Sequence, residues 1–387
     1  MSASQFGGDI AVIGMGCRFP GDAKSPAEFY EMLLKKRSGW REVPEDRFNV
    51  NSFWHPSYDR HGTIVCKGGH FMKDDIGLFD APFFSMTQGE ANAMDPQQRM
   101  LLEITYEALE NAGLPLNKVV GSDTACFVGG FTREYDDVTT SELAKTLLYT
   151  TTGNGLTMMS NRLSWFYDLH GPSVSLDTAC SSSLVALHLA CQTIKASTSD
   201  SRQAIVGGVN LILVPDQMTT MNPLHFLSPD SQCYSFDDRA NGYTRGEGIG
   251  IMVLKHIDDA IRDGDCIRAV IRSTGVNSDG KTPGITLPST AAQASLIRKT
   301  YAAAGLDPAH TGYFEAHGTG TGKPLLSFRA QETWQAASVC SSFFVVVLFL
   351  GFAKHRQVLV ILSRLVQLRL FSTGLPRTPR RHSILVA

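Results

Sequence analysis

Residues 173–195, Ser-Val-Ser-Leu-Asp-Thr-Ala-Cys-Ser-Ser-Ser-Leu-Val-Ala-Leu-His-Leu-Ala-Cys-Gln-Thr-Ile-Lys, change their period part-way through. Val174 and Leu176 alternate with polar neighbours, as in a short strand. Beyond Ser181, the residues Leu184, Leu187, Ala190, Cys191 and Ile194 recur every three or four positions, the spacing of a helix with one buried face. Cys180 therefore stands where a strand turns into a helix. The first amides of a helix have no partner within it, and the helix dipole adds partial positive charge there. Both effects favour a thiolate, so the Cys180 pKa is expected below the free value of about 8.5. The same amides could hold an oxyanion. Only small residues flank Cys180, which leaves it accessible and favours a nucleophile over an inert buried thiol.

The rest of the chain alternates in the same way. Ile10–Ile13 reads as a buried strand. Ser25-Pro26-Ala27-Glu28 is a capping box with proline at the first helical position, and Phe29, Met32 and Leu33 give that helix its apolar face. Asp95-Pro96-Gln97-Gln98 opens a second helix, which ends at Gly113. Strands are expected at Thr124–Gly130, Ala204–Val214, Gly250–Lys255, Arg268–Asn277 and Tyr313–Ala316. Helices are expected at Asn154–Tyr167, Asp258–Asp263 and Ser289–Ala304. Residues 38–90 and 215–248 read as long loops, and a loop as long as the second usually serves a site. The strand–helix–strand unit around Cys180 implies a parallel pair with a right-handed crossover. The fold class is α/β, with helices covering a largely buried sheet.

The 387 residues carry 35 Lys and Arg against 37 Asp and Glu, unevenly placed. Residues 324–387 hold eight basic residues and one acid, Glu332, which leaves 27 basic and 36 acidic residues in 1–323. An acidic body argues against a nucleic-acid partner. The eight cysteines form no C-x-x-C pair, so no metal site is expected. The N-terminus lacks the basic start of a signal peptide. The longest apolar run, Phe343–Ala353, falls short of the roughly 20 residues of a membrane span; a buried helix is one reading of it. The chain reads as a reduced, cytoplasmic protein without a membrane partner.

Three known patterns nearly occur. Gly14-Met15-Gly16-Cys17-Arg18-Phe19 has Phe19 where a dinucleotide fingerprint needs its third glycine. Around Gly318–Pro324, His317 replaces the first P-loop glycine and Pro324 the Ser/Thr. Cys180 and His317 are 137 residues apart, in the range of papain-like proteases, but without their local signature.

Asp177-Thr178-Ala179-Cys180-Ser181-Ser182-Ser183 and Glu315-Ala316-His317-Gly318-Thr319-Gly320-Thr321 resemble the two signature motifs of β-ketoacyl synthases. Ile10–Pro20, Met94–Arg99, Gly242–Gly248 and Asn277–Gly280 are similar to further stretches of the ketosynthase domain that opens fungal iterative type I polyketide synthases, most closely the highly reducing kind. The resemblance covers about residues 8–322. It implies a thiolase-like fold, with two related halves in five αβαβα layers. It also implies a homodimer, with the segment leading into the Cys180 strand at the interface. Cys180 would take the growing acyl chain from an acyl carrier protein as a thioester. A malonyl unit on the carrier would then lose carbon dioxide, and its enolate would attack that thioester. His317 would aim a donor at the enolate oxygen, and the Cys180 amide would be one oxyanion donor. Thr319 and Thr321 would contact the phosphopantetheine arm of the carrier; plain turn structure accounts for them nearly as well. The resemblance implies no cofactor bound by the domain itself, and an acyl carrier protein and an acyltransferase as partners. His188 reads as a packed helix residue.

The pattern breaks at Gly322-Lys323. The family's Gly-Asp-Pro-x-Glu stretch, its Lys-x-Asn-Ile-Gly-His motif with a second histidine, and a later glycine-rich loop are absent, and Phe352–Arg356 around His355 does not replace them. The expected organisation is a nucleophile half over 8–255, the start of a second, incomplete half over 256–323, and a non-homologous tail over 324–387, misread or disordered. The expected function is decarboxylative Claisen condensation in secondary metabolism. The alternatives are a truncated, inactive fragment and a thiol acyl hydrolase. Removing one oxyanion donor costs about 100- to 1,000-fold in rate, so loss of several donors is expected to abolish condensation.

Overall fold

Strand β1 (Ile10–Arg18) is buried along nearly its whole length and lies at the middle of the sheet. The computed structural model describes residues 8–320 except 143, 145 and 197, together with the backbone of 342–350 and 357–362. After β1 come α1 (Pro26–Leu34), the short paired strands β2 (Trp40–Glu42) and β3 (Gly68–His70), and helices α2 (Gln88–Ala93) and α3 (Pro96–Ala112). Next are β4 (Ala125–Gly129), α4 (Glu134–Thr140), α5 (Thr150–Asn154), α6 (Met158–Phe166) and β5 (Ser173–Leu176). Helix α7 (Ser182–Lys195) leads to β6 (Gln203–Asn210), α8 (Asp216–Met221), β7 (Gly248–His256) and α9 (Ile257–Asp263). The described chain ends with β8 (Ala269–Ser278), α10 (Thr290–Ala304), β9 (Thr311–Glu315), β10 (Ser342–Leu350) and β11 (Gln357–Leu362).

Nine strands form one sheet in the order β5-β4-β6-β7-β1-β8-β10-β11-β9. β4 pairs in parallel with both β5 and β6, so the two strands flanking α7 run parallel with β4 between them. β7 is antiparallel to β6 and to β1. Two apolar clusters cover the strands. One joins α3 and α6 to the sheet through Leu101, Ile104, Leu163, Ile205 and Ile251. The other seats Leu184, Leu187 and Ile194 of α7 on Ile10, Phe127 and Val206.

The glycines of the apparent nucleotide fingerprint serve this packing. A Cβ on Gly16 would lie 2.7 Å from the Ile104 carbonyl oxygen, and one on Gly14 2.6 Å from the Ala112 Cβ. They let α3 cross β1 at close range. The helix starts that were legible in sequence are present: the Ser25 hydroxyl accepts the Glu28 N–H at 3.2 Å, and Asp95 accepts the Gln97 N–H at 2.8 Å. Gly113 closes α3 at φ 69°.

Several expectations change. The stretches 38–90 and 215–248, read as loops, carry β2 and β3, and α8, respectively. The helix expected over 154–167 starts only at Met158: Asn154 closes the separate helix α5, and Gly155 takes an extended conformation between α5 and α6. Pairing in the stretch 204–214 stops at Asn210; beyond it, the Glu134 carboxylate accepts the amides of Leu213 and Val214, at 2.6 Å for the Leu213 amide. The apolar run at Phe343, open to reading as a helix, is strand β10, antiparallel to β8 from Ser342 opposite Ser278 to Phe349 opposite Val270. The remainder of the tail, His355 included, lies outside the described residues.

Candidate active site

Strand β5 delivers the chain to a five-residue turn that its own side chains lace together. The Asp177 carboxylate accepts the Ala179 N–H at 2.7 Å. Ala179 itself is left-handed, at φ 56°, a conformation that costs a non-glycine residue free energy and recurs at functional sites. The Ser181 hydroxyl donates to the Thr178 carbonyl at 2.7 Å, and the Ser182 hydroxyl to the Ala179 carbonyl at 2.6 Å. Ser182 Oγ also accepts the Thr178 N–H at 2.8 Å. Two of the three serines after Cys180 thus hold the turn that presents it.

Cys180 ends half-buried at the start of α7. Gly129, the last residue of β4, makes the room: a Cβ there would lie 2.5 Å from the Ser183 amide nitrogen. Most other described cysteines have a different environment. Cys17, Cys126 and Cys191 are buried, and burial pushes each thiol up to about 12; Cys66 is pushed up to about 11. They are packing residues. Cys233 is half-buried and Cys266 exposed.

His317 follows β9 in a coil in which Gly318 and Gly320 are left-handed, at φ 54° and 65°. The imidazole is buried, with Nε2 3.6 Å from the Cys180 sulfur. A thiol and an imidazole at this distance can exchange a proton, the arrangement that activates a sulfur nucleophile. Thr319 is also buried, and its hydroxyl has no hydrogen-bond partner among the described residues. Thr321 lies outside the described residues. His188 packs within the fold, its Nδ1 2.8 Å from the Thr274 hydroxyl, and burial holds its pKa below the usual histidine value.

Cys180, His317 and Thr319 line one cavity of about 970 Å³, which extends past Gly130 and Phe131 toward Phe29 and Trp40. Sequence reasoning gave no role to several residues of its wall. The Arg245 guanidinium lies 5.0 Å from the centre of the Phe131 ring. Glu247 forms a buried pair with Arg47, at 2.8 Å and 3.1 Å, and accepts the amides of Met72 and Ile212. The only sequence signal for either was the Gly242–Gly248 stretch. Among the described residues, no group of three His, Cys, Asp or Glu is placed to hold a metal ion. No described helix is long and apolar enough to cross a membrane.

Residues 8–260 match the N-terminal domain of β-ketoacyl synthases, and residues 268–323 match their C-terminal domain. The chain belongs to the β-ketoacyl synthase family. The curated relatives of this chain include the highly reducing polyketide synthase Preu1 of Preussia isomera, 54% identical over 319 residues. That match covers 82% of this chain and 13% of the relative. The compactin diketide synthase mlcB of Penicillium citrinum is 54% identical over 318 residues, 82% of this chain and 12% of its own length. The chain spans about an eighth of the length of these relatives. Among solved structures, the oxazolomycin ketosynthase domain OzmH KS7 of Streptomyces albus JA3453 superposes with a TM-score of 0.75 at 39% identity. That superposition covers 81% of this chain and 53% of the other. A ketosynthase from module 6 of the Bacillus subtilis 168 bacillaene synthase gives a TM-score of 0.72 at 37% identity, covering 81% and 51%. The fold of this chain is accordingly thiolase-like.

Proposed function

We propose that the chain is the ketosynthase domain of a highly reducing polyketide synthase and performs decarboxylative Claisen condensation in secondary metabolism. The observation that carries this reading is the approach of His317 Nε2 to within 3.6 Å of the Cys180 sulfur at the start of α7. In this reading Cys180 attacks an acyl thioester delivered by an acyl carrier protein. The acyl–sulfur bond of the donor breaks, and a new one forms at Cys180. Sulfur suits the task because it is a good nucleophile and a good leaving group. The Cys180 amide stabilises the oxyanion. In the second step malonyl on the carrier loses carbon dioxide, and His317 donates toward the enolate oxygen.

The phosphopantetheine arm reaches the sulfur along the cavity. The unpartnered Thr319 hydroxyl supports this path, because a buried hydroxyl with no protein partner suits a ligand amide. An acyltransferase loads the carrier protein, in the same synthase or in trans. The exposed flank of edge strand β5, where Val174 is 38% accessible, supports pairing with a second copy as a homodimer. We read 8–255 as the nucleophile half and 256–323 as the start of the second half, and the setting as cytoplasmic. The described residues equip acyl loading of Cys180 most fully.

The test is product analysis with an acyl thioester and malonyl-loaded carrier protein. A β-ketoacyl product with release of carbon dioxide supports the reading. A free acid instead identifies a hydrolase. A loaded Cys180 that yields neither product overturns condensation by this chain while leaving acyl transfer in place.

A further inference from the structure

No regular secondary structure holds the coil that carries His317. Beyond Glu315 the chain leaves β9. Two hydrogen bonds tie the coil to the loop 228–243: the Ser235 hydroxyl donates to the Gly318 carbonyl, and the Gly242 N–H donates to the Gly320 carbonyl at 3.0 Å. Gly320 also rests on the Tyr234 backbone, where a Cβ would lie 3.2 Å from the carbonyl carbon.

That loop is built as a brace. The Ser228 hydroxyl and the Asn241 side chain lie 2.8 Å apart, and Asn241 donates to Asp230 at 2.8 Å. Ser228 N–H donates to the Tyr243 carbonyl, and Tyr243 N–H to that of Phe226. Next to Ser235, Phe236 takes a left-handed φ of 60°. Asp237 holds the Arg239 guanidinium, which covers the Tyr234 ring at 4.6 Å. The far end of the brace runs through Gly246 into Glu247, which is fixed by its buried pair with Arg47. A continuous series of contacts therefore runs from the Arg47–Glu247 pair to the backbone on either side of Thr319, two residues beyond His317.

We infer that Ser235 is a positioning residue that sets the His317 imidazole against the Cys180 sulfur. The inference rests on the Cys180–His317 reading above. The imidazole affects the thiol proton only at close range, and a misplacement of about 1 Å can cost on the order of 100-fold in a reaction that depends on the contact. The family resemblance assigned Ser235 no role, and the side chain is only half-buried, so its hydroxyl can be changed without opening the core.

The experiment measures the rate of Cys180 alkylation by iodoacetamide against pH, in the full chain, by mass spectrometry of the Cys180 peptide. Ser235→Val and Ser235→Thr are compared, since they differ essentially by one hydroxyl. His317→Ala is the reference for complete loss of the imidazole. Ser235→Val is expected to move the profile toward that of His317→Ala and to slow alkylation at pH 7 by about tenfold. Ser235→Thr is expected to restore the wild-type profile. A merely structural role would lower the melting temperature of both variants and leave the pH midpoint in place. If His317→Ala shifts the profile and Ser235→Val does not, the assignment of Ser235 is wrong. If His317→Ala leaves the profile unchanged, the Cys180–His317 reading falls, and the assignment of Ser235 falls with it.

Discussion

Gly129 at the end of β4 and Ser183 in the first turn of α7 are in backbone contact: a Cβ on the glycine would stand 2.5 Å from the serine amide nitrogen. The closeness fixes where α7 begins, and so where the Cys180 sulfur stands relative to His317. Gly129→Ala would push α7 away from the sheet. Overpacking of this kind typically costs about 1–3 kcal/mol. Misplacement of a nucleophile by about 1 Å costs on the order of 100-fold in rate. The variant should therefore lose acyl loading out of proportion to its loss of stability, as measured by intact-mass kinetics beside a urea melt. Near-normal loading would show that the contact does not set the site.

The pair Arg47–Glu247 joins residues 200 positions apart with almost no exposure of either side chain. Removing one partner of a buried pair is expected to cost about 3–5 kcal/mol, because the other charge is left uncompensated. Glu247→Gln should therefore lower the urea midpoint sharply. The double variant Arg47→Met, Glu247→Gln should lose clearly less than the sum of its two single variants, because no charge is then left unpaired while an amide oxygen remains for the Met72 or Ile212 N–H. Additive losses in the double variant would contradict the pairing.

Asp95 caps α3 from a buried position, and burial pushes its carboxyl up to about 6, against the opposing pull of the Gln97 donors and Arg99. The folded state therefore holds this proton more tightly than the unfolded chain does. Stability from the protonated form is present below the unfolded value, near 4, and is lost as pH rises through about 6. The difference amounts to on the order of 3 kcal/mol. Asp95→Asn keeps an oxygen for the Gln97 amide and cannot ionise. Denaturant melts from pH 4 to pH 7 should show a falling stability in the wild type and a flatter line in the variant. Equal slopes would contradict the raised carboxyl.

Much of this was readable from the sequence. The strand-to-helix switch at Cys180 and the caps at Ser25, Asp95 and Gly113 depend on local chemistry, and local chemistry is written in the order of residues. Cys180 and His317 were paired through their motifs, and the fold brings them together. What sequence could not show depends on distance along the chain. Phe19 already spoke against a nucleotide loop at Gly14-Met15-Gly16, but the need for its glycines, the close crossing of α3, joins segments far apart in the chain. The Arg47–Glu247 pair and the Ser235–Gly318 contact join segments that no periodicity connects. The run at Phe343 is too uniformly apolar for period to separate helix from strand, and its partner β8 settles the choice.

The most direct measurement is the mass of the chain after brief exposure to an acyl thioester, with the adduct located by peptide mapping. The account predicts one acyl group on Cys180 in the wild type and none on Cys180→Ala. It further predicts loading of His317→Ala slowed by about 100-fold, within the range of a lost general base. An adduct on Cys233 or Cys266 in its place, or loading of Cys180 that is indifferent to His317, would contradict the assignment of this site.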